Sequence, residues 1–152
     1  MTEAKGIISE EIHKKLAIQC FNQVWDLLEK TERSQTDDDT MIHKAHASRY
    51  HWGIVGAPVN FSRGEWQISR VYSVLKRPEP AIFHAKRNLE ICLEHGIEDF
   101  DLAFAFEALA RAHQVAGNKN EVNHYKDLAL EASKNIKKEG DRNHFLNDLN
   151  TI

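Results

Sequence analysis

Apolar residues recur every three or four positions along nearly the whole chain, and no stretch alternates with period two. That pattern predicts an all-α fold of about seven antiparallel helices. The first helix starts at a Ser9 cap and runs to about residue 31, with Leu16, Cys20, Val24 and Leu27 on its apolar stripe. Residues 34–39, SQTDDD, read as a polar loop, and a second helix covers about 40–54, before Gly56, Ala57 and Pro58. Ser62 and Glu65 have capping-box spacing, and Phe61 and Trp66 have the spacing of a hydrophobic staple. A third helix is therefore expected from Ser62, with Ile68, Val71, Tyr72 and Leu75 inward, ending before Pro78. The fourth opens at Pro80, buries Ile82, Ala85, Leu89 and Cys92, and stops at Gly96. The fifth covers about 99–117 and is apolar on nearly every face, the mark of a central helix. The sixth is capped by Asn118, buries residues as far as Ile136 and stops at Gly140. A short seventh follows Asp141, with Phe145, Leu146 and Leu149 inward.

Short loops imply antiparallel neighbours, and 152 residues suit one domain over 1–152. A shift of 40 residues lays Trp66 on Phe106, Leu75 on Val115, Ile82 on Val122 and His84 on His124. Weak self-similarity at such a period points to stacked helix pairs. The run LARAHQVAGNKNEVNHYKDLAL, residues 109–130, resembles a tetratricopeptide repeat. Leu109, Ala110, Gly117, Tyr125 and Ala129 fall where that repeat takes large, small, glycine, aromatic and small residues. The earlier hairpin, about 65–98, fits more loosely, with Arg77-Pro78 where the turn glycine belongs. The resemblance implies a divergent, right-handed superhelix of helical hairpins whose concave face binds peptides or other partners. The chain also resembles a group of short bacterial proteins with a similar HASRYHW…RGEWQISRVY string, which brings no mechanism with it.

Composition narrows the function classes. Hydrophobic residues at 41% and charged residues at 28% are an ordinary globular balance that argues against disorder. A net charge of −3 argues against a generally basic nucleic-acid binder. Nine histidines would carry that charge to +6 if all were protonated. The opening MTEAKGIISEE has no apolar run of the signal-peptide kind, and no stretch reaches membrane-spanning length. Cys20 and Cys92 lie far apart on apolar stripes and read as buried, reduced thiols. The expectation is a cytoplasmic protein with no membrane or nucleic-acid partner.

Candidate chemistry gathers in two places. Residues 40–64 hold no Asp or Glu but carry Lys44, Arg49, Arg63, His43, His46 and His51, a composition able to face an anion. His43 and His46 share a helix face, whereas His51 points elsewhere, so the three make no local metal site on a straight helix. On the fifth helix Glu107 and Arg111 stand at i and i+4, which a plain ion pair explains; an unpaired buried Glu107 would instead suit acid–base work. Glu65 is explained by its capping role. Arg70 has no acid near it in sequence, and Trp66 and Tyr72 offer it stacking faces.

No phosphate loop, nucleophile elbow or paired-Cys motif occurs in the sequence. The leading expectation is a non-catalytic module without cofactor or metal. Its concave groove would take a protein segment or a small anionic ligand, using His46, Tyr50, His51, Trp66, Arg70, His84, Glu107 and Arg111. One alternative is a helical-bundle enzyme using His46, His51, His84 and Glu107 as metal ligands or acid–base groups. Another is a structural homodimer joined through an open end of the stack.

Overall fold

The computed structural model describes residues 6–152, and among these the chain forms seven helices and no strand. They are α1 (Glu10–Leu28), α2 (Gln35–Val55), α3 (Pro58–Val74), α4 (Pro78–Glu94), α5 (Asp99–Ala116), α6 (Lys119–Ser133) and α7 (Glu139–Leu149). The Ser9 cap is present, its Oγ accepting the Ile12 N–H at 3.2 Å.

Residues 34–39 are not a loop. Ser34 Oγ accepts the Asp37 N–H and Asp37 Oδ2 accepts the Ser34 N–H, both at 3.1 Å, so α2 begins there. The acidic run that looked loop-like sits in the first turn, where the helix dipole favours negative charge.

The expected start of the third helix also moves. α3 begins at Pro58, and Asn60 Oδ1 accepts the Ala57 N–H at 2.9 Å. Ser62 and Glu65 are interior helix residues, both buried, and neither caps anything. Ser62 Oγ instead donates to Asn88 Oδ1 on α4 at 2.7 Å. Because α3 starts at Pro58, Phe61 and Trp66 both lie inside it and are not at the two positions of a staple; Phe61 lies beneath the Arg49 guanidinium at 4.7 Å. Similarly, α4 starts at Pro78 rather than Pro80, and α6 ends at Ser133. Ile136 is therefore buried from the α6–α7 connection, and α7 begins ahead of Gly140.

Three helices end in the same way. The residue after Lys76, Gly96 and Gly117 returns its N–H to the carbonyl five positions back: Arg77 to Tyr72 at 2.8 Å, Ile97 to Cys92 at 2.9 Å and Asn118 to His113 at 3.0 Å. Each of the three residues has positive φ, as this helix-ending motif requires. Lys76, at φ 61°, takes the place of a turn glycine between α3 and α4. Lys76 and Gly117 are 41 positions apart, as are the starts of α3 and α4 from those of α5 and α6. The structural repeat is thus one residue longer than the sequence comparison gave. In that register Ile68 matches Leu109, and both are buried.

Packing is by pairs. α1 lies on α2, α3 on α4 and α5 on α6; α2 packs on α3, α4 on α5, and α3 directly on α5. α7 closes against α5 and α6. One apolar cluster joins α1, α2 and α3 through Val24, Met41, Ala45, Ile68 and Val71. A second joins α4 and α5 through Ala81, Ala85, Ala108, Leu109 and Ala112. A third docks α7 on α5 and α6 through Phe104, Ala129, Phe145 and Leu149. Full burial of each large side chain contributes roughly 1.5–3 kcal/mol. α5 touches α3, α4, α6 and α7, and its buried alanines 103, 105, 108, 110 and 112 let these neighbours approach closely. The expectation of a central fifth helix follows from the same composition.

Candidate functional site

The odd-numbered helices, with Asn88 of α4, line one open cleft of about 510 Å³. Phe21 and Trp25 come from α1, Arg63, Trp66 and Arg70 from α3, Phe100, Asp101 and Phe104 from α5, and Asp141, His144 and Asp148 from α7. The local reason is periodicity: Phe21/Trp25 and Phe100/Phe104 are i, i+4 pairs, so each pair projects from one helix face. Trp66 lies between the two pairs, with its ring 5.6 Å from both Trp25 and Phe104. His144 lies parallel to Phe100 at 6.4 Å on the rim. The rings are partly exposed, with Phe104 buried beneath them.

Beneath it is a buried ionic cluster. Glu107 is fully buried; its Oε1 accepts the Trp66 indole N–H at 3.3 Å. Its Oε2 accepts Arg70 Nη2 at 3.2 Å and Arg111 Nε at 2.6 Å. Arg70 also donates to Asp148 Oδ2 at 2.6 Å, and Arg111 donates to the Asp148 carbonyl at 3.0 Å. Two guanidinium groups thus face two carboxylates, which fixes α3, α5 and α7 relative to one another. Arg70 lies over the Trp66 ring at 4.9 Å, so its acid partners and its stacking face coexist. The i, i+4 pair of Glu107 and Arg111 is present, but the sequence showed neither Arg70 nor Asp148 as its partners. Arg111 also borders a second cleft at the ends of α3 and α5, beside Ser73, Lys76 and Gln114.

A second polar cluster joins α2, α3 and α4 away from that cleft. Glu65 Oε2 accepts Arg49 Nε at 2.9 Å, and its Oε1 lies 2.7 Å from His84 Nδ1. His84 stacks on Tyr72, and the Tyr72 hydroxyl lies 3.0 Å from His46 Nε2. Burial pushes the Glu65 carboxyl up, but the bonds from His84 and Arg49 overcome it and hold the acid below the usual carboxylate range. Burial, helped by the nearby His84, lowers the proton affinity of His46. Cys92 is buried beside Ser62, and burial raises its thiol; Cys20 is only half-buried, against expectation.

The eight candidate residues therefore fall into three groups. Trp66, Arg70, Glu107 and Arg111 meet at the cleft and its floor. His46 and His84 belong to the Glu65 cluster. Tyr50 and His51 lie elsewhere: Tyr50 is exposed, and His51 Nδ1 sits 2.8 Å from His13 Nδ1 on α1. His46, His51, His84 and Glu107 are not gathered into one site, and among the described residues no three His, Cys, Asp or Glu side chains are placed to hold a metal ion. The acid-free segment does not present free arginines either. Arg49 is bound to Glu65, and Arg63 bonds Asp101 through Nε and Nη2 at 2.9 and 3.0 Å. Sequence reasoning missed Phe21, Trp25, Phe100, Phe104 and the α7 residues; the paired i, i+4 aromatics were the available signal.

Fold and site define a class: an all-α stack of helical hairpins with an open aromatic cleft on its odd-numbered helices. No protein-family model, curated protein or solved structure matches the chain. No helix among the described residues is long and apolar enough to cross a membrane.

Proposed function

We propose that the chain is a divergent tetratricopeptide-like array, wound as a right-handed superhelix, that holds a protein segment in a concave groove without performing chemistry on it. One observation carries the reading. Aromatic residues of α1, α3, α5 and α7, most of them partly exposed, converge on one cleft to which the even-numbered helices add only Asn88. The first helices of successive hairpins line the inner face of such stacks, and repeat arrays bind along that face.

Support also comes from what holds the cleft. Trp66 is fixed by Glu107, Trp25 and Phe104 before any partner arrives. A preset aromatic surface loses little rotamer entropy on binding. The Glu65–His84 pair, where an enzyme would find its acid–base groups, is not among the residues lining this cleft.

The test is selection of linear peptides from a displayed random library, followed by indole N–H NMR of the protein with each recovered peptide. Trp25 and Trp66 resonances should shift while that of Trp52 stays fixed. Peptides that leave both Trp25 and Trp66 unmoved would refute the groove.

A further inference from the structure

Resting on the groove reading, we infer that the cleft takes a segment presenting a Lys or Arg beside an aromatic or aliphatic residue, and disfavours acidic segments and small anions. The charges lining the cleft carry the inference. They are Arg63 and Arg70 against Asp101, Asp141 and Asp148.

Both cations are already committed. Arg63 makes a two-bond pair with Asp101. Arg70 is divided between Asp148 and the fully buried Glu107. An incoming carboxylate or phosphate would have to displace one of these acids. Displacing Glu107 would leave a buried charge without its partner, which is strongly unfavourable. Asp141 is different. It lies in the first turn of α7, half-buried on the cleft wall, and its carboxylate makes no hydrogen bond or ion pair with any described residue. The lining thus has one carboxylate more than it has guanidinium groups, with His144 on the rim.

The aromatic surface points the same way. The faces of Phe21, Trp25, Phe100 and Trp66 carry the negative side of the ring quadrupole and attract cations. Arg70 over Trp66 shows that this surface accepts a guanidinium. A second guanidinium or ammonium in the cleft would meet ring faces and the Asp141 carboxylate together, while a neighbouring apolar side chain covers the remaining rings. The cleft draws on five helices, and neighbouring axes lie about 8–10 Å apart. That breadth suits an extended segment better than a single small amine.

The peptides recovered from the displayed library carry the test. They should be enriched in Lys or Arg adjacent to Trp, Phe, Leu or Met. Replacing the basic residue of a leading peptide by Gln should weaken binding about fivefold to tenfold, and replacement by Glu more. Asp141→Asn should impose a similar loss on the basic peptide and erase its advantage over the Gln version. Asp141→Ser, which removes the carboxyl at a half-exposed position, provides a second variant, and thermal melts verify that both fold. Neutral or acidic peptides that still shift Trp25 and Trp66 would overturn this inference and leave the groove intact. Basic peptides whose affinity ignores Asp141 would do the same. Failure of every peptide to shift those indoles, including through a second copy of the chain covering the cleft, overturns both.

Discussion

Arg49 Nε lies 2.9 Å from Glu65 Oε2, and the Arg49 side chain reaches it by passing over Gly64. A Cβ on Gly64 would stand 2.8 Å from Arg49 Cδ. The two halves of the HASRYHW…RGEWQISRVY string are therefore parts of one contact: the arginine from α2, the glycine that admits it and the glutamate that receives it. Three more of the string's polar residues also bond across helices. Ser48 donates to the Ala17 carbonyl at 2.8 Å, Gln67 to the Phe21 carbonyl at 3.0 Å and Ser69 to the Ala81 carbonyl at 2.8 Å.

Gly64→Ala tests that contact. Alanine is the better helix former by about 1 kcal/mol, so an unhindered site would gain stability. Here the methyl must push Arg49 off Glu65, and overpacking costs about 1–3 kcal/mol. Net destabilisation is expected in urea unfolding, and Arg49→Ala in the same background should recover part of it.

Glu107→Gln keeps the hydrogen-bonding shape toward Trp66 but removes the charge that Arg70 and Arg111 share. With Asp148 left alone against two guanidinium groups, a loss of about 3 kcal/mol or more is expected. Because Asp148 and Thr151 tie the end of the chain to Arg111, hydrogen exchange should rise first in α7. Unchanged exchange in α7 would show that Phe145 and Leu149 alone hold it.

Mild acid should weaken the fold. Burial lowers His46, His51 and His113 below the ordinary 6.5; proximity to His84 adds to the effect at His46, and proximity to His13 adds to it at His51. A histidine whose proton affinity falls on folding stabilises the native state fully above 6.5, and that contribution is lost as pH drops through its lower folded value. Glu65 acts in the same direction at lower pH, its contribution present above 4.5 and lost below. The melting temperature should hold steady above pH 7 and fall as pH drops below 6.5. His13→Gln, which removes the ring facing His51, should make that fall shallower.

Lys76→Gly should stabilise. Lys76 holds φ at 61°, a conformation that costs an L-residue about 1–2 kcal/mol and glycine nothing steric. Part of the gain is offset by glycine's freedom when unfolded, so about 1 kcal/mol is expected from denaturant melts. Gly117→Lys, at the matching position, should lose a comparable amount.

The sequence by itself determined the helices, their count and, for five of the seven, the face that turns inward, because a period of 3.6 and local caps act within a few residues of chain. It placed α5 at the centre because a helix apolar all round must be enclosed. It misplaced the start of α3, since the Ser62 and Glu65 spacing of a cap also serves two residues that bond to other helices. Glu107 and Arg111 were legible as a pair because they are one turn apart. Arg70 and Asp148 were not, being 78 positions apart and joined only when α7 folds back over α3 and α5. The cleft is of that second kind. Its aromatic pairs are written on single helices, but only the packing of hairpin on hairpin brings them to one surface, and only there is Asp141 left as the carboxylate without a partner.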